Sequence, residues 1–581
     1  MSHSEPLATR RARFLNRFHA WLSTRGRPAT GFTSQPEPRT VGSYARGRQL
    51  LAGNFLFAGT LVSAPDTTIW DLDAPDRDFL AELHGFAWLD DLAAVGDGRT
   101  RRVAQDWLAA WVARYGRGRG PGWVPDLAGR RLIRWINHAL FLLRGQDRAA
   151  SDAFYVSLGR QTIFLSRRWK GATPGLPRFE ALTGLIYAGL ALQGMEEHVD
   201  PALAALEREC AAQVDGQGGL PTRNPEELLE VFTLLTWAAA ALSEVDRDPG
   251  PEHMAAIRRI APTLRTLRHA DGSLARFHGG GRGLEGRLDH ALAASGITHS
   301  QPDGLSMGYA RLGAGRTSVI VDASPPPEGR ASANAHASTL AFELTSGRRP
   351  MIVNCGSGVS FGREWRRAGR ATPSHSTLCL EGFSSGRLGR TEGNGAIEYL
   401  SDAPKKVPIR MSHASDGVRF QGGHDGYSSA YGLTHARTLE LTFDGRGMAG
   451  EDMLLALDDN DKRIFDRRMD RVHMQGLAFA LRFHLHPEVE AHVDLGGTAI
   501  SLALKSGELW VFRHDGKFEM SLEPSVYLER NRLKPRASRQ IVLSGKVMEY
   551  ASRIRWSFAK AQDTPISIRD LKRDDDFPTA G

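Results

Sequence analysis

The sequence predicts an α+β protein with several domains, in which a helical N-terminal part precedes an antiparallel β-sandwich. Apolar residues recur with the helical period of 3.6 between about residues 78 and 295, and the period falls to two after Gly304. A chain of 581 residues is too long for one core. We therefore predict a basic N-terminal arm over residues 1–65, a helical domain over 66–300, a β-sandwich over 301–557 and a disordered tail over 558–581.

The helical domain is clearest in one apolar stripe, in which Val103, Trp107, Trp111 and Tyr115 follow each other at intervals of four residues. Short turns rich in glycine and proline separate this stripe from its neighbours. Helices of similar length with short links indicate a helical array, either a solenoid or a closed toroid, and periodicity alone does not choose between them. Similar stripes span residues 131–143, 153–169, 179–193, 202–214, 226–242 and 253–269.

The N-terminal arm combines arginines with Phe14, Phe18 and Trp21. This pattern predicts an amphipathic helix that docks on the body of the protein or touches an acidic surface. Charged residues interrupt the arm too often for a signal peptide, so the default location is the cytoplasm. The longest uncharged run, residues 49–65, is short for a membrane span, and no transmembrane segment is expected.

Composition limits the classes of function. With 41% hydrophobic and 24% charged residues the chain is typical of a globular protein, and its net charge of +8 favours an anionic partner. Nucleic acid and acidic polysaccharide both qualify as that partner, and the dispersed arginines argue against nucleic acid. Three cysteines without a C-x-x-C spacing predict neither a disulfide framework nor a zinc ribbon.

The β-sandwich is predicted from strand patterns separated by glycine and aspartate turns. In residues 477–486, four apolar side chains alternate with Arg482, His484 and His486. Two histidines spaced by two residues could bind a metal or could belong to a polar sheet face. Further strands are predicted at residues 315–321, 432–443, 499–504 and 509–512.

The stretch from Asn334 to Gly382 combines histidines with strands. Strands are predicted at Thr339 to Leu344 and Pro350 to Val353, and a hairpin between them would bring His336 close to Asn354. A basic loop then leads to a second histidine, His375.

This stretch resembles the C-terminal domain of the heparinase II/III family of polysaccharide lyases. The family's histidine turn is matched by residues 336–338, its Asp-Pro-Gly-like turn by 354–356, and its Arg-x-Thr-x-x-His segment by 370–375. The resemblance extends over about residues 80 to 545. It implies an incomplete (α/α) toroid before the sandwich, a carbon-oxygen lyase acting on a uronic acid polysaccharide of heparin, heparan or alginate type, and a location in the periplasm or cell envelope.

The resemblance also implies one structural divalent metal, zinc or calcium. Relatives hold it with two histidines and one aspartate, and the matching positions here are His336, His375 and Asn354. Asn354 and Ser338 stand where the family usually has carboxylates, so the anionic ligand is missing here. Each histidine could instead be a hydrogen-bonded residue that bridges strands.

Three stretches of the helical half resemble toroid elements of the family. They supply the substrate-binding candidates Asn137, Arg178, Arg223 and Asn224, to which the basic loop adds Trp365 and Arg366. The Asn-His pair and the catalytic tyrosine of relatives are both absent from the matching positions.

Elimination from a uronate needs a group that neutralises the carboxylate, a base for the C5 proton and an acid for the leaving oxygen. We predict His336 as the base, with Asn334 and Arg370 beside it. Tyr427 and its neighbour Tyr431 are the tyrosine candidates for the acid, and Tyr427 is our choice.

Two alternatives stay open. The first is a protein that descends from a lyase and binds or assembles an acidic glycan without turnover. The second is a glycoside hydrolase using two carboxylates, for which Glu180 and Glu227 are the candidates.

Overall fold

The computed structural model describes residues 7–34, 37–299, 304–380, 382–392, 397–413, 415–530 and 532–561. The chain divides into two compact units that alternate along the sequence. The helical unit contains Met1–Gly218, Leu229–Ala261 and His290–Ile297. The β unit contains Gly219–Leu228, Pro262–Asp289 and Thr298–Gly581. Two segments that the sequence analysis assigned to the helical domain, residues 219–228 and 262–289, thus pack with the β unit.

Helices follow one another through the first half of the chain, as the 3.6-residue period predicts. Several begin with an aspartate cap: Asp76, Asp97 and Asp147 accept hydrogen bonds from the backbone N–H three residues later. The helices are α1 Leu7–Ser23, α2 Tyr44–Leu51, α3 Arg77–Gly85, α4 Trp88–Val95, α5 Gly98–Tyr115, α6 Pro125–Asn137, α7 Ala139–Leu143, α8 Arg148–Arg168, α9 Leu176–Ala191, α10 Val199–Gln213, α11 Pro225–Ser243, α12 Pro251–Thr266 and α13 Arg287–Ser295, with a hairpin of β1 Asn54–Phe57 and β2 Thr60–Ser63 after α2.

Helices α6 and α9 approach each other at two glycines. A Cβ atom built on Gly184 would lie 2.4 Å from the Cα atom of Gly129. Side chains at these positions would push the two backbones apart, so the glycines set the close packing of this pair.

Helix α1 is the predicted amphipathic helix of the N-terminal arm, and it packs against α8. Its buried side carries Ala20 and Ser23. Phe14, Phe18 and Trp21 lie on the opposite side and are 67%, 43% and 46% exposed. The helix therefore docks through small residues and leaves its aromatic stripe open to solvent.

The β unit contains two large antiparallel sheets, as the alternating pattern predicts. One sheet has the order β10-β11-β12-β13-β20-β17-β16-β15, and the other has the order β18-β19-β14-β6-β5-β4-β3, with β7 also paired to β14. The strands are β3 Tyr309–Ala314, β4 Thr317–Asp322, β5 Phe342–Ser346, β6 Arg349–Val353, β7 Leu378–Leu380, β8 Arg387–Glu392, β9 Ile397–Asp402, β10 Ile409–His413, β11 Gly417–Tyr427, β12 Leu433–Thr442, β13 Gly447–Leu455, β14 Leu477–Leu485, β15 Glu490–Asp494, β16 Ala499–Ala503, β17 Leu509–His514, β18 Glu519–Tyr527, β19 Arg536–Val547 and β20 Ala551–Lys560.

One apolar core lies between the two sheets. It includes Phe342 and Phe483 from one sheet and Leu439, Phe512 and Trp556 from the other. Strand β12 alternates buried and half-buried residues along its whole length, as expected for a strand with one face in a core.

A charged group nevertheless lies inside this sandwich. Asp452 accepts hydrogen bonds from Arg437 Nε at 2.8 Å, from Trp556 Nε1 at 2.8 Å and from His435 Nε2 at 2.7 Å. Burial alone would raise the pKa of Asp452, but Arg437 and His435 outweigh it and lower that pKa to about 2. The carboxylate is therefore charged at neutral pH and is held by its partners.

Three local expectations differ from the structure. The strand expected from Thr339 begins only at Phe342, because Leu340 has a φ of 64° and its N–H turns to the carbonyl of Asp322. The sequence analysis missed three helices, α14 Arg363–Arg370 in the expected basic loop, α15 Ser428–Tyr431 and α16 Asp459–Arg471, the last of which begins at the cap residue Asp458. Strand β20 continues to Lys560, and the rest of the predicted tail, residues 562–581, lies outside the described residues.

Candidate functional site

Three histidines of the β unit form a hydrogen-bonded chain, which we call the histidine chain: His278, His336 and His375. The backbone N–H of His336 donates to Nδ1 of His278 at 3.1 Å. Nδ1 of His336 lies 3.1 Å from Nε2 of His375, and Nδ1 of His375 lies 2.9 Å from the carbonyl of Ala371. The sequence analysis expected two of these three histidines to lie together, and they do.

The partners of the chain determine where its protons sit. The backbone N–H of Gly279 donates to Nε2 of His336 at 3.1 Å, so Nε2 is the acceptor and Nδ1 carries the proton. That proton is donated to His375 Nε2, and His375 donates its own from Nδ1 to Ala371. His336 and His375 are satisfied as neutral rings, because every ring nitrogen of the two has a hydrogen-bond partner.

The protonation equilibria agree with this arrangement. Burial lowers the pKa of His336 well below its usual value, and the neighbouring His375 and His278 lower it further. Burial also lowers the pKa of His375 to about 3. Both rings are neutral at physiological pH.

Asp322, which the sequence analysis did not single out, anchors one end of the chain. Its Oδ2 accepts from Ser338 Oγ at 2.6 Å and lies 3.4 Å from His278 Nε2, while its Oδ1 accepts from Arg223 Nη2 at 2.6 Å. Burial alone would raise the pKa of Asp322, but Arg223 and His278 outweigh it and lower that pKa. The carboxylate missing at position 338 is thus supplied from the end of β4.

The donors for the expected metal fit it poorly. Asn354 Oδ1 accepts from the N–H of Ser376 at 3.0 Å, and its Nδ2 donates to Glu343 Oε1 at 3.3 Å. His336 Nδ1 donates its proton to His375 Nε2, so neither of these nitrogens has a free lone pair for a metal. Across the residues that the structure describes, no group of three or more His, Cys, Asp or Glu side chains could hold a metal ion. The metal stays a prediction, and no step is derived through it.

Arg370, a predicted catalytic residue, is buried and fully engaged with backbone carbonyls. Its Nε, Nη1 and Nη2 donate to Ala335, Glu398 and Ser332, each at 2.7 Å. Burial and the neighbouring Arg366 lower its pKa to about 10, which still leaves it charged. In this arrangement the guanidinium holds the loop before His336 in place.

Tyr427 lies in the core between the two sheets. Its hydroxyl donates to the carbonyl of Leu378 at 3.0 Å, and burial raises its pKa well above the usual value. Its neighbour Tyr431 packs edge-on against Phe383. These contacts give both tyrosines a packing role, and the catalytic role of Tyr427 stays a prediction.

Three predicted residues reach the surface of the β unit near the histidine chain. Asn334 is exposed, and its Oδ1 accepts from Arg366 Nη2 at 3.0 Å. Trp365, on α14 Arg363–Arg370, is 36% exposed. We call Asn334, Trp365 and Arg366 the α14 surface.

The remaining substrate-binding candidates make internal contacts. Arg223 bonds to Asp322 and to four backbone carbonyls, and Asn224 caps α11 by accepting from the N–H groups of Glu226 and Glu227. In the helical unit, Arg178 pairs with Glu209 at 3.1 Å. Asn137 is buried there, and its amide has no hydrogen-bond partner among the residues described.

The hydrolase candidate Glu180 is also paired. Arg130 Nε donates to its Oε1 at 2.6 Å, and burial raises the pKa of the Glu180 carboxyl despite that arginine. Glu180 belongs to the helical unit and Glu227 to the β unit.

Sequence reasoning missed His278 and Asp322. His278 lies directly before the glycine-rich residues 279–283, and Asp322 is the residue after a predicted strand. A polar residue directly after a buried strand was the available signal for Asp322.

Comparisons with known proteins identify the family and the fold. A family model of the heparinase II/III-like C-terminal domain matches residues 297–557. FtsZ-localized protein C of Caulobacter vibrioides is 32% identical over 551 residues, which cover 92% of this chain and 91% of that protein.

Solved structures are similar in fold. A heparinase III structure matches with a TM-score of 0.65 at 13% identity and covers 94% of this chain and 89% of its own. The heparan sulfate lyase HepC of Pedobacter heparinus matches with a TM-score of 0.56 at 14% identity, over 95% and 89%. The predicted fold class, an incomplete helical toroid followed by an antiparallel sandwich, is thereby confirmed. Among the helices described, none is long and apolar enough to cross a membrane.

Proposed function

This chain belongs to the heparinase II/III-like family, and from that premise we propose that it localises with FtsZ and binds an acidic glycan without cleaving it. The protein keeps the fold of a polysaccharide lyase and uses it as a binding scaffold. This is the non-catalytic alternative that the sequence analysis left open.

The state of His336 carries the proposal. A general base needs a free lone pair within reach of the proton that it removes. The lone pair of His336 Nε2 accepts from the Gly279 N–H, and Nδ1 already carries a proton that is bonded to His375. Catalysis by this ring would first require the bond to Gly279 to break.

The other predicted catalytic groups support the same conclusion. Each of the three guanidinium nitrogens of Arg370 already donates to a backbone carbonyl, so few N–H groups remain to bind a substrate carboxylate. Tyr427 is buried in the sandwich core with its hydroxyl bonded to Leu378. The sequence also lacks the Asn-His pair and the tyrosine that the family resemblance would require in the helical half.

The α14 surface supports glycan binding. Trp365 offers an apolar ring on which a sugar can stack, and Arg366 with Asn334 offers donors for a uronate carboxylate or a sulfate. Arg363 and Arg367 on the same helix add positive charge beside Glu398.

The FtsZ part of the proposal rests on the relative. The name of FtsZ-localized protein C states that it localises with FtsZ, and 91% of its length is covered at 32% identity. A match over nearly the whole of both proteins is what a shared cellular role would produce.

One set of measurements on purified protein tests the proposal. Binding to a panel of acidic polysaccharides is measured beside the ultraviolet absorbance of unsaturated uronate, and co-sedimentation with FtsZ polymers is measured separately. We expect binding without absorbance, co-sedimentation, and about tenfold weaker glycan binding in Trp365→Ala. Trp21→Ala is the matched control, because Trp21 is 46% exposed in the helical unit and Trp365 is 36% exposed.

Each result has a definite meaning. Absorbance that rises with time would reject the non-catalytic proposal. Failure to bind any polysaccharide would reject the proposed glycan binding. Failure to co-sediment with FtsZ would reject the proposed localisation with FtsZ.

A second candidate is β-elimination of a uronic acid polysaccharide, as the sequence analysis first predicted. One observation favours it: the lowered pKa keeps His336 neutral at physiological pH, as a general base must be. An absorbance increase that disappears in His336→Ala, with the folded state retained, would establish this candidate.

A further inference from the structure

The β unit has a small open cavity beside Glu343, with a volume of about 30 Å³. Its lining includes Arg276, Arg282, His486 and Tyr527. Arg276 and Arg282 come from the segment between α12 and α13, His486 follows β14, and Tyr527 ends β18. None of these residues was a site candidate from sequence, apart from His486 as a possible metal ligand.

Arg276 is the central group of this cavity. The residue is only 6% exposed. Its guanidinium carbon lies 4.0 Å from the centre of the Tyr527 ring, and Nη2 donates to the carbonyl of Leu528. Its Nη1 has no hydrogen-bond partner among the described residues. A buried guanidinium nitrogen without an acceptor is costly, and an oxygen in the cavity would satisfy it.

The groups around Arg276 also present donors. The N–H of Glu488 donates to Nδ1 of His486 at 3.3 Å, so the proton of the neutral imidazole is on Nε2. Burial lowers the pKa of His486 and keeps it neutral, and burial raises the pKa of Tyr527 to about 12, so its hydroxyl keeps its proton. Arg282 adds an exposed guanidinium close enough to influence both groups.

The two carboxylates that line the cavity, Glu343 and Asp271, already accept hydrogen bonds from protein groups. Glu343 accepts from the backbone N–H of Arg276 through Oε2 and from Asn354 through Oε1, and it also faces His269. Oδ1 of Asp271 accepts from the N–H and the hydroxyl of Ser273. Neither carboxylate accepts a hydrogen bond from Nη1 of Arg276.

We propose that this cavity binds a small oxyanion, a carboxylate or phosphate group, between Arg276, Arg282, His486 and Tyr527. A planar guanidinium edge matches the paired oxygens of such groups, and the neutral donors beside it complete their hydrogen bonds. The cavity shares no lining residue with the α14 surface, and this proposal does not depend on the proposed glycan binding.

Isothermal titration of the full-length protein tests the site with two probes, inorganic phosphate and glucuronate. Chloride at matched ionic strength is the reference, because salt screens arginine–anion attraction. Arg276 also holds Leu528 and its loss could unfold the protein, so the variants are Tyr527→Phe and Arg282→Ala. The carbonyl of Arg282, which accepts from Leu274, is unaffected by the side-chain change. Arg410→Ala removes an exposed arginine from β10 in the other sheet and is the matched control.

We expect saturable binding of at least one probe, weakened about tenfold by each cavity variant and unchanged in Arg410→Ala. Binding of phosphate alone or of glucuronate alone identifies the source of the oxyanion. Heat no greater than that of chloride would mean that the cavity holds only water and would overturn the proposal. Equal affinity in all four proteins, or an equal loss in Arg410→Ala, would overturn it too.

Discussion

His336 Nδ1 donates a hydrogen bond to His375 Nε2 at 3.1 Å, although both residues occupy positions that in the family resemblance hold a metal. The bond joins the loop before β5 to the loop before β7. It gives both rings a partner in a buried site, where an unpaired polar atom would be costly.

Replacing His336 with alanine should lower the free energy of unfolding of the β unit by about 2–4 kcal/mol, because the Gly279 N–H and His375 Nε2 would lose their partner in a buried site. Urea unfolding measures the change. His492→Ala, on the exposed edge of β15, is the control and should change stability by less than about 0.5 kcal/mol. Equal stability of His336→Ala and the wild type would contradict the hydrogen-bonded arrangement.

His484 should make stability depend on pH. Burial lowers its pKa to about 4, and its Nε2 donates to the Pro373 carbonyl at 2.9 Å while Nδ1 lies 2.8 Å from Ser525 Oγ. The unfolded state takes up a proton below about pH 6.5 and the folded state does not, so stability is complete above about pH 6.5 and falls towards pH 4. Between about pH 6.5 and 5 this histidine should account for a loss of about 2 kcal/mol.

The measurement compares urea unfolding at these two values of pH in the wild type and in His484→Gln, which keeps a donor and an acceptor but does not titrate. A wild-type stability that rises on acidification, or an unchanged difference in the variant, would refute the assignment.

The ion pair inside the sandwich should be far more important to stability than a surface pair on neighbouring strands. Arg437→Met leaves Asp452 buried with one partner fewer and should cost about 3–5 kcal/mol. Arg419→Met is the control: Arg419 pairs with Glu440 across β11 and β12, the two side chains are 40% and 41% exposed, and the cost should stay below about 1 kcal/mol. Similar unfolding midpoints for the two variants would show that Arg437 does not stabilise the buried Asp452 carboxylate.

The close approach of α6 and α9 predicts that Gly184→Ala destabilises the helical unit by about 1–3 kcal/mol, because its new methyl group would meet the backbone of Gly129. Thermal unfolding followed by circular dichroism measures the effect. Gly216→Ala has no heavy atom within 4 Å of the new methyl group and should be near neutral. A midpoint for Gly184→Ala that matches that of Gly216→Ala would mean that the helices separate without cost.

The sequence by itself determined that a helical part precedes a part rich in strands, and it determined the motif positions. The 3.6-residue period of apolar residues located α5 and the helices that follow, and the period of two located β12 and β14. Both patterns can be seen in the sequence because each depends only on neighbours along the chain. The motifs at His336, Asn354 and His375 identified the family for the same reason.

Only the tertiary structure decided what those residues contact. His278 and Gly279 are adjacent in the sequence and Asp322 lies in a second, separate segment, and no local pattern states that these two segments meet the loop of His336. The metal candidates, the catalytic candidate Arg370 and the core residue Tyr427 were chosen by residue type, but burial and hydrogen-bond partners determine which groups are available for chemistry. Those partners are distant in sequence, and they become neighbours only when the sheets and loops of the β unit pack together.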